Sequence, residues 1–132
     1  MKNIKMHYVS DIHLNHFVIK KFNGIDAAPE NIVGEYIRDL AKKMIDSSGK
    51  SEGDYLLLAG DVSHDIDRAY VFYEELTKHW KPSNIIAVLG NHDLWDLVKS
   101  SGMPILTNYV EIIARYRPLF KSLGSIFCKT SY

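Results

Sequence analysis

Apolar residues recur along this chain with two different periods, and the switch between them defines the expected elements. Over 31–47, Ile32, Val33, Tyr36, Ile37, Leu40, Ala41, Met44 and Ile45 repeat at three- and four-residue spacing, which places them on one face of a helix. Pro29 suits the first turn of that helix and Gly49 its end, because proline is pre-set for a helix start and glycine tolerates the left-handed cap. A second helix is expected over 66–80, with Ile66, Ala69, Tyr70, Tyr73 and Leu76 inward, Asp65 as its cap and Pro82 closing the connection. Tyr109, Val110, Ile112, Ile113 and Tyr116 mark a third. Pro118 is expected to end or kink it, since the residue before a proline avoids the helical region.

Between these stretches lie short apolar runs. The segment 4–10 reads as a strand and leads into a polar stretch, 11–15. The runs 55–59 and 85–89 are continuously apolar, as expected of strands covered on both faces, and each is stopped by a glycine, Gly60 and Gly90. After Gly124, Ile126 and Phe127 look like the start of a fourth strand. Strands alternating with helices imply an α/β fold with a partly parallel sheet flanked by helices. Residues 1–132 are enough for one domain with one core.

Composition narrows the function classes. Lys+Arg and Asp+Glu are equal at 16 each, so the net charge is zero, and the broad basic footprint of a nucleic-acid-binding surface is missing. A hydrophobic fraction of 46% is too high for a disordered chain. Cys128 is the only cysteine, which excludes an intrachain disulfide and a cysteine-based zinc site. The N-terminus lacks the apolar core of a signal peptide, and no run approaches the ~20 apolar residues that cross a bilayer. A soluble, cytoplasmic protein without a membrane partner is expected.

The chemistry is concentrated where the strands end. Three polar loops follow the first three strands: Ser10-Asp11-Ile12-His13, Gly60-Asp61-Val62 and Gly90-Asn91-His92-Asp93. In open α/β sheets ligands bind beyond the carboxyl ends of the strands, so loops distant in sequence would face one crevice. Residues two apart in extended backbone point the same way, which lets Asp11 and His13 reach one cation while Ile12 packs behind them. Gly60 precedes Asp61 at the sharp exit from a buried strand. Adjacent residues diverge, so Asn91 can offer its amide oxygen to a metal while His92 projects toward a substrate. Carboxylate, imidazole and amide donors together suit Mn²⁺, Fe or Zn²⁺ better than Ca²⁺. Taken alone, each loop reads as a solvated turn or a helix cap; three in the same strand context carry the metal reading.

This set, Asp11-x-His13, Gly60-Asp61 and Gly90-Asn91-His92-Asp93, resembles the calcineurin-like metallophosphoesterase superfamily, and within it small bacterial or phage phosphohydrolases. The likeness runs from residue 4 to residue 127. It implies two divalent metal ions, with Asp11 and His13 on the first, Asp61 bridging, and Asn91 on the second. It also implies that His92 sits over the phosphate, stabilising charge or protonating the leaving oxygen. The cations would acidify a bridging water and clamp the phosphoryl oxygens for in-line attack. The implied substrate is a phosphate mono- or diester, a small molecule or nucleotide in preference to nucleic acid.

The superfamily pattern continues with a later histidine and a Gly-His-x-His motif, whereas this chain has no histidine after His92. The second metal would then be weakly held, by Asp61 and Asn91 alone. The expectation is the N-terminal part of a domain truncated at its C-terminus; the alternative is a non-catalytic interaction module that keeps the fold. His64 stands three positions after Asp61, where phosphoprotein phosphatases of the superfamily carry an aspartate; with Asp65 one further on, that branch is not indicated. His16 and His64, close to the loops, read as exposed loop histidines. An exposed sheet edge would offer a route to a homo-oligomer.

Overall fold

The computed structural model describes residues 3–63, 65–90, 105–124 and 126–128. Its elements run β1 (Met6–Val9), α1 (Leu14–Phe22), α2 (Glu30–Ser48), β2 (Tyr55–Leu58), α3 (Ile66–His79), a 3-10 turn (Pro82–Asn84), β3 (Ile85–Val88), α4 (Ile105–Leu123) and β4 (Ile126–Cys128). The strands form one four-stranded sheet in the order β1-β2-β3-β4. All three pairings are parallel, with Val9 opposite Leu58, Leu58 opposite Ala87 and Val88 opposite Cys128. The α/β architecture expected from the alternating periods is therefore present.

Helix ends follow the local chemistry. Pro29 stands at the N-cap of α2, and Gly49 closes the helix in the left-handed conformation at φ 65°. Asp65 caps α3, its Oδ1 accepting the Asp67 backbone N–H at 2.8 Å. Along α2 the buried row is Val33, Ile37, Ala41 and Ile45. Ile32, expected inward, is 42% exposed, because it precedes that row by one residue and is turned about 100° away from it.

Two expectations about helices change. Residues 14–22, where no element was expected, form α1; Leu14, Phe17, Val18 and Phe22 recur at helical spacing, and Leu14 and Val18 enter the core. Pro118 does not end α4, which continues to Leu123. Pro118 itself is exposed, while Tyr116 and Phe120 on either side are buried. Phe120 packs edge-on against Tyr73 of α3 at 4.7 Å between ring centroids, and this aromatic packing carries the helix past the missing N–H.

The core lies on one face of the sheet. Leu56 and Leu58 of β2, Ile85 and Ala87 of β3, and residues from all four helices share a single buried cluster. Phe72, which the period of α3 did not single out, belongs to it as well. On the opposite face Tyr55, Leu57, Ile86 and Val88 are only partly buried, and Tyr8 of β1 is exposed. Among the described residues, then, β2 and β3 alternate in burial instead of being covered on both faces. No described helix is long and apolar enough to cross a membrane.

The amino ends of the strands are joined by a polar network. Asp54, buried just before β2, accepts backbone N–H groups from Lys5 and Ser51 and pairs with His7 Nε2 at 2.8 Å. Trp80 Nε1 donates to the Asp54 carbonyl at 2.9 Å. These contacts lock β1 to β2 at the end of the sheet opposite the polar loops.

Candidate metal centre

Because β1, β2 and β3 are parallel, the loops that follow them emerge at one edge of the sheet. The first two are zipped together beyond the last strand pair. Asp11 N–H donates to Gly60 O at 3.2 Å, His13 N–H to Asp61 O at 2.9 Å, and Leu14 N–H to Val62 O at 2.8 Å. Parallel pairing thus continues past β1 and β2 as irregular backbone, and residues 50 positions apart become neighbours.

That backbone is unusual. Asp11, His13 and Asp61 adopt positive φ angles of 55°, 49° and 57°, a region that non-glycine residues rarely occupy. Three such residues on two facing loops concentrate backbone strain where the candidate ligands sit, a pattern that marks functional sites. His13 also stands at the N-cap position of α1, where its side chain makes no capping bond.

The side chains converge. One ligand atom from each of Asp11, His13 and Asp61 lies within 4.8 Å of the others, and His13 Nε2 is 3.7 Å from Asp11 Oδ1. Donors bound to one cation at ~2.0–2.2 Å can be at most about 4.4 Å apart. A rotamer adjustment of a few tenths of an ångström therefore closes the group on a single ion. Asp11 is exposed and His13 largely buried, so the group is reachable from solvent on the carboxylate side.

Two glycines make room for it. A Cβ at Gly60, whose φ is 97°, would stand 2.6 Å from the Gly90 backbone nitrogen. A Cβ at Gly90 would collide with the Asp61 carboxylate. The start of the third loop is therefore pressed against the second, and the hollow that holds Asp61 exists only because both positions lack side chains. The donor set and this fitted hollow are compatible with a bound divalent cation.

His16, on the first turn of α1, is a helical residue and not a loop histidine. Its ring stacks on His13 with centroids 5.1 Å apart and an interplanar angle of 18°, and its backbone N–H donates to His13 O at 2.9 Å. The stacking depends on α1, which was not expected, and on the three-residue spacing that brings His13 and His16 together across its first turn. Asn91 and His92, with Asp93 and His64, lie outside the described residues.

Comparison with known proteins adds one finding. A family model described as calcineurin-like phosphoesterase matches residues 4–129. No curated protein and no solved structure matches the chain.

Proposed function

The chain belongs to the calcineurin-like phosphoesterase family, and from that membership we propose that it hydrolyses phosphate mono- or diesters with divalent cations held first by Asp11, His13 and Asp61. The convergence of those three side chains from two loops 50 residues apart is the observation that carries this reading. A divalent cation bound there supplies Lewis acidity toward a phosphoryl oxygen and lowers the pKa of water. The mixed carboxylate and imidazole donors favour Mn²⁺, Fe or Zn²⁺.

The protein's own groups have separate tasks in this proposal. Asp61 would be shared between two cations if a dinuclear centre formed, and Asn91 would offer an amide oxygen to the second. His92 is the catalytic residue: it donates a hydrogen bond to the phosphoryl group and a proton to the leaving oxygen. The exposed side of Asp11 is the approach for substrate, a small molecule or nucleotide. Residues 1–132 act as a single domain of a cytoplasmic protein in this proposal. Tight retention of the second cation requires ligands beyond Asp61 and Asn91.

The test is release of p-nitrophenol from p-nitrophenyl phosphate and from its bis-aryl diester, with Mn²⁺ added and then chelated. Metal-dependent turnover that is lost in Asp61→Asn and His92→Ala is expected. Turnover unchanged in both variants rejects the proposal.

Self-association through the sheet edge is a separate part of the proposal. Among the described residues β1 pairs only with β2, and its exposed Met6 and Tyr8 lie along that edge. Sedimentation velocity giving a dimer, reduced to monomer by Tyr8→Lys, is the expected result; a concentration-independent monomer removes this part and leaves the chemistry untouched.

A further inference from the structure

A cavity of about 280 Å³ opens beside the ligand group, between the first loop, α1 and α2. Asp11 belongs both to its wall and to the ligand group. Fully buried Leu14 and Phe72 form the floor, Leu40 and Met44 of α2 the side, and Phe17 of α1, 44% exposed, the lip. Its volume is just below the ~300–1,000 Å³ typical of ligand sites. A second cavity of about 430 Å³, lined along β1 and by Trp80, shares Val9 and Met44 with it.

The shape is amphipathic in a particular way. One end is lined by Ser10 and by Asp11 of the ligand group, and the rest by hydrocarbon and aromatic residues. With a divalent cation held by that group to receive the anion, a molecule with an anionic phosphoryl head and an apolar body matches both ends. A sugar or nucleoside in the same place would bury more hydroxyl and amide groups than Ser10 and Asp11 can partner. An alkyl or aryl group loses nothing polar and gains from each methylene withdrawn from water.

Resting on the phosphoesterase reading, we infer that this cavity receives the apolar alcohol part of the substrate, and that the substrate class is phosphate esters of hydrophobic alcohols. Phe17, Leu40 and Met44 are then the specificity-determining residues, and the approach past Asp11 aligns the ester with the ligand group.

The experiment is isothermal titration calorimetry of the full chain with Mn²⁺ and methyl-, butyl- and hexylphosphonate, which carry the anionic head but no hydrolysable ester bond. Burial predicts about fourfold tighter binding per methylene, so butylphosphonate should bind at least tenfold more tightly than methylphosphonate. Phe17→Asp should bring that ratio close to one. Leu40→Gln, similar in size to leucine, is the second variant should the first fail to fold. Equal affinity across the series in the unaltered protein, or a ratio that survives in a folded variant, overturns the inference while Mn²⁺-dependent phosphonate binding upholds the phosphoesterase reading. Failure of all three phosphonates to bind with Mn²⁺ present overturns both.

Discussion

Gly90 and Asp61 are so closely apposed that a methyl group on the glycine would overlap the aspartate's carboxylate. Neither the β2 loop nor the β3 loop can shift independently there, because Gly60 meets the Gly90 backbone from the other side. The pair sets where the central carboxylate of the candidate centre can stand.

Gly90→Ala should therefore displace Asp61 and weaken Mn²⁺ binding by at least tenfold in a calorimetric titration. Gly60→Ala carries a further penalty, since alanine at φ 97° is strained by about 1–3 kcal/mol. Its thermal midpoint should fall by several degrees. An unchanged metal affinity in Gly90→Ala would show that the apposition has no bearing on the centre.

Direct ligands should matter at least as much as the groups that orient them, whose loss typically costs 10–100-fold in metal affinity. Asp61→Asn and His13→Ala are each expected to lower Mn²⁺ affinity by roughly 100-fold or more. Circular dichroism should be unchanged, because neither side chain belongs to the buried hydrophobic cluster. His16→Ala should have a smaller effect, and His16→Phe, which keeps an aromatic ring against His13, should restore most of it. A His16→Phe variant as impaired as His16→Ala would assign His16 a role other than stacking.

Asp54 makes acid stability a measurable property of the opposite end of the sheet. The Ser51 backbone N–H, the His7 ring and the Lys5 N–H hold its carboxyl at a pKa of about 2, down from 3.8. A depressed carboxyl pKa adds stability that is fully present above pH ~4 and is lost as the pH falls toward ~2. Asp54→Asn should thus be less stable than the unaltered protein near neutrality, with the gap narrowing between pH 4 and 2. Thermal denaturation across that interval checks this, and a gap constant with pH would contradict it.

Arg68 is buried between the N-terminal ends of α2 and α3, with Nη2 2.6 Å from Glu30, 3.5 Å from Asp26 and Nε 4.0 Å from Asp65. Removing one partner of a buried ion pair generally costs about 3–5 kcal/mol because a buried charge is left unpaired. Here the carboxylates of Asp26 and Glu30 are mostly exposed and can rehydrate. Arg68→Met should accordingly cost about 1.5–3 kcal/mol, the range for a hydrogen bond to a charged group. Urea denaturation measures it, and a loss of 4 kcal/mol or more would mean that the carboxylates depend on Arg68 for far more than charge.

Local pattern carried most of the architecture. Most of the inward rows of α2 and α3 (Ile32 and Tyr70 excepted), the Gly49 end, the Asp65 cap and the glycine stops after β2 and β3 are properties of residues within four positions of one another, and short-range periodicity reports them directly. Residues 14–22 carry the same kind of signal, Leu14, Phe17, Val18 and Phe22 at three- and four-residue spacing, but no capping bond marks the start at His13, and α1 was not among the expected elements; it is held by burial of Leu14 and Val18 against the core. Pro118 shows the reverse, a local stop signal overridden by Tyr116 and Phe120.

The amino-acid sequence by itself determined which residue types stand at the ends of the strands, and hence the class of chemistry this protein can support. Only the tertiary structure decided that Asp11, His13 and Asp61 share one hollow, that Gly60 and Gly90 clear the space for it, and that an apolar cavity begins at Asp11. Periodicity describes neighbours along the chain. Convergence depends on the parallel register of β1 and β2 and on hydrogen bonds between loops 50 residues apart, and those exist only once the core has packed the strands side by side.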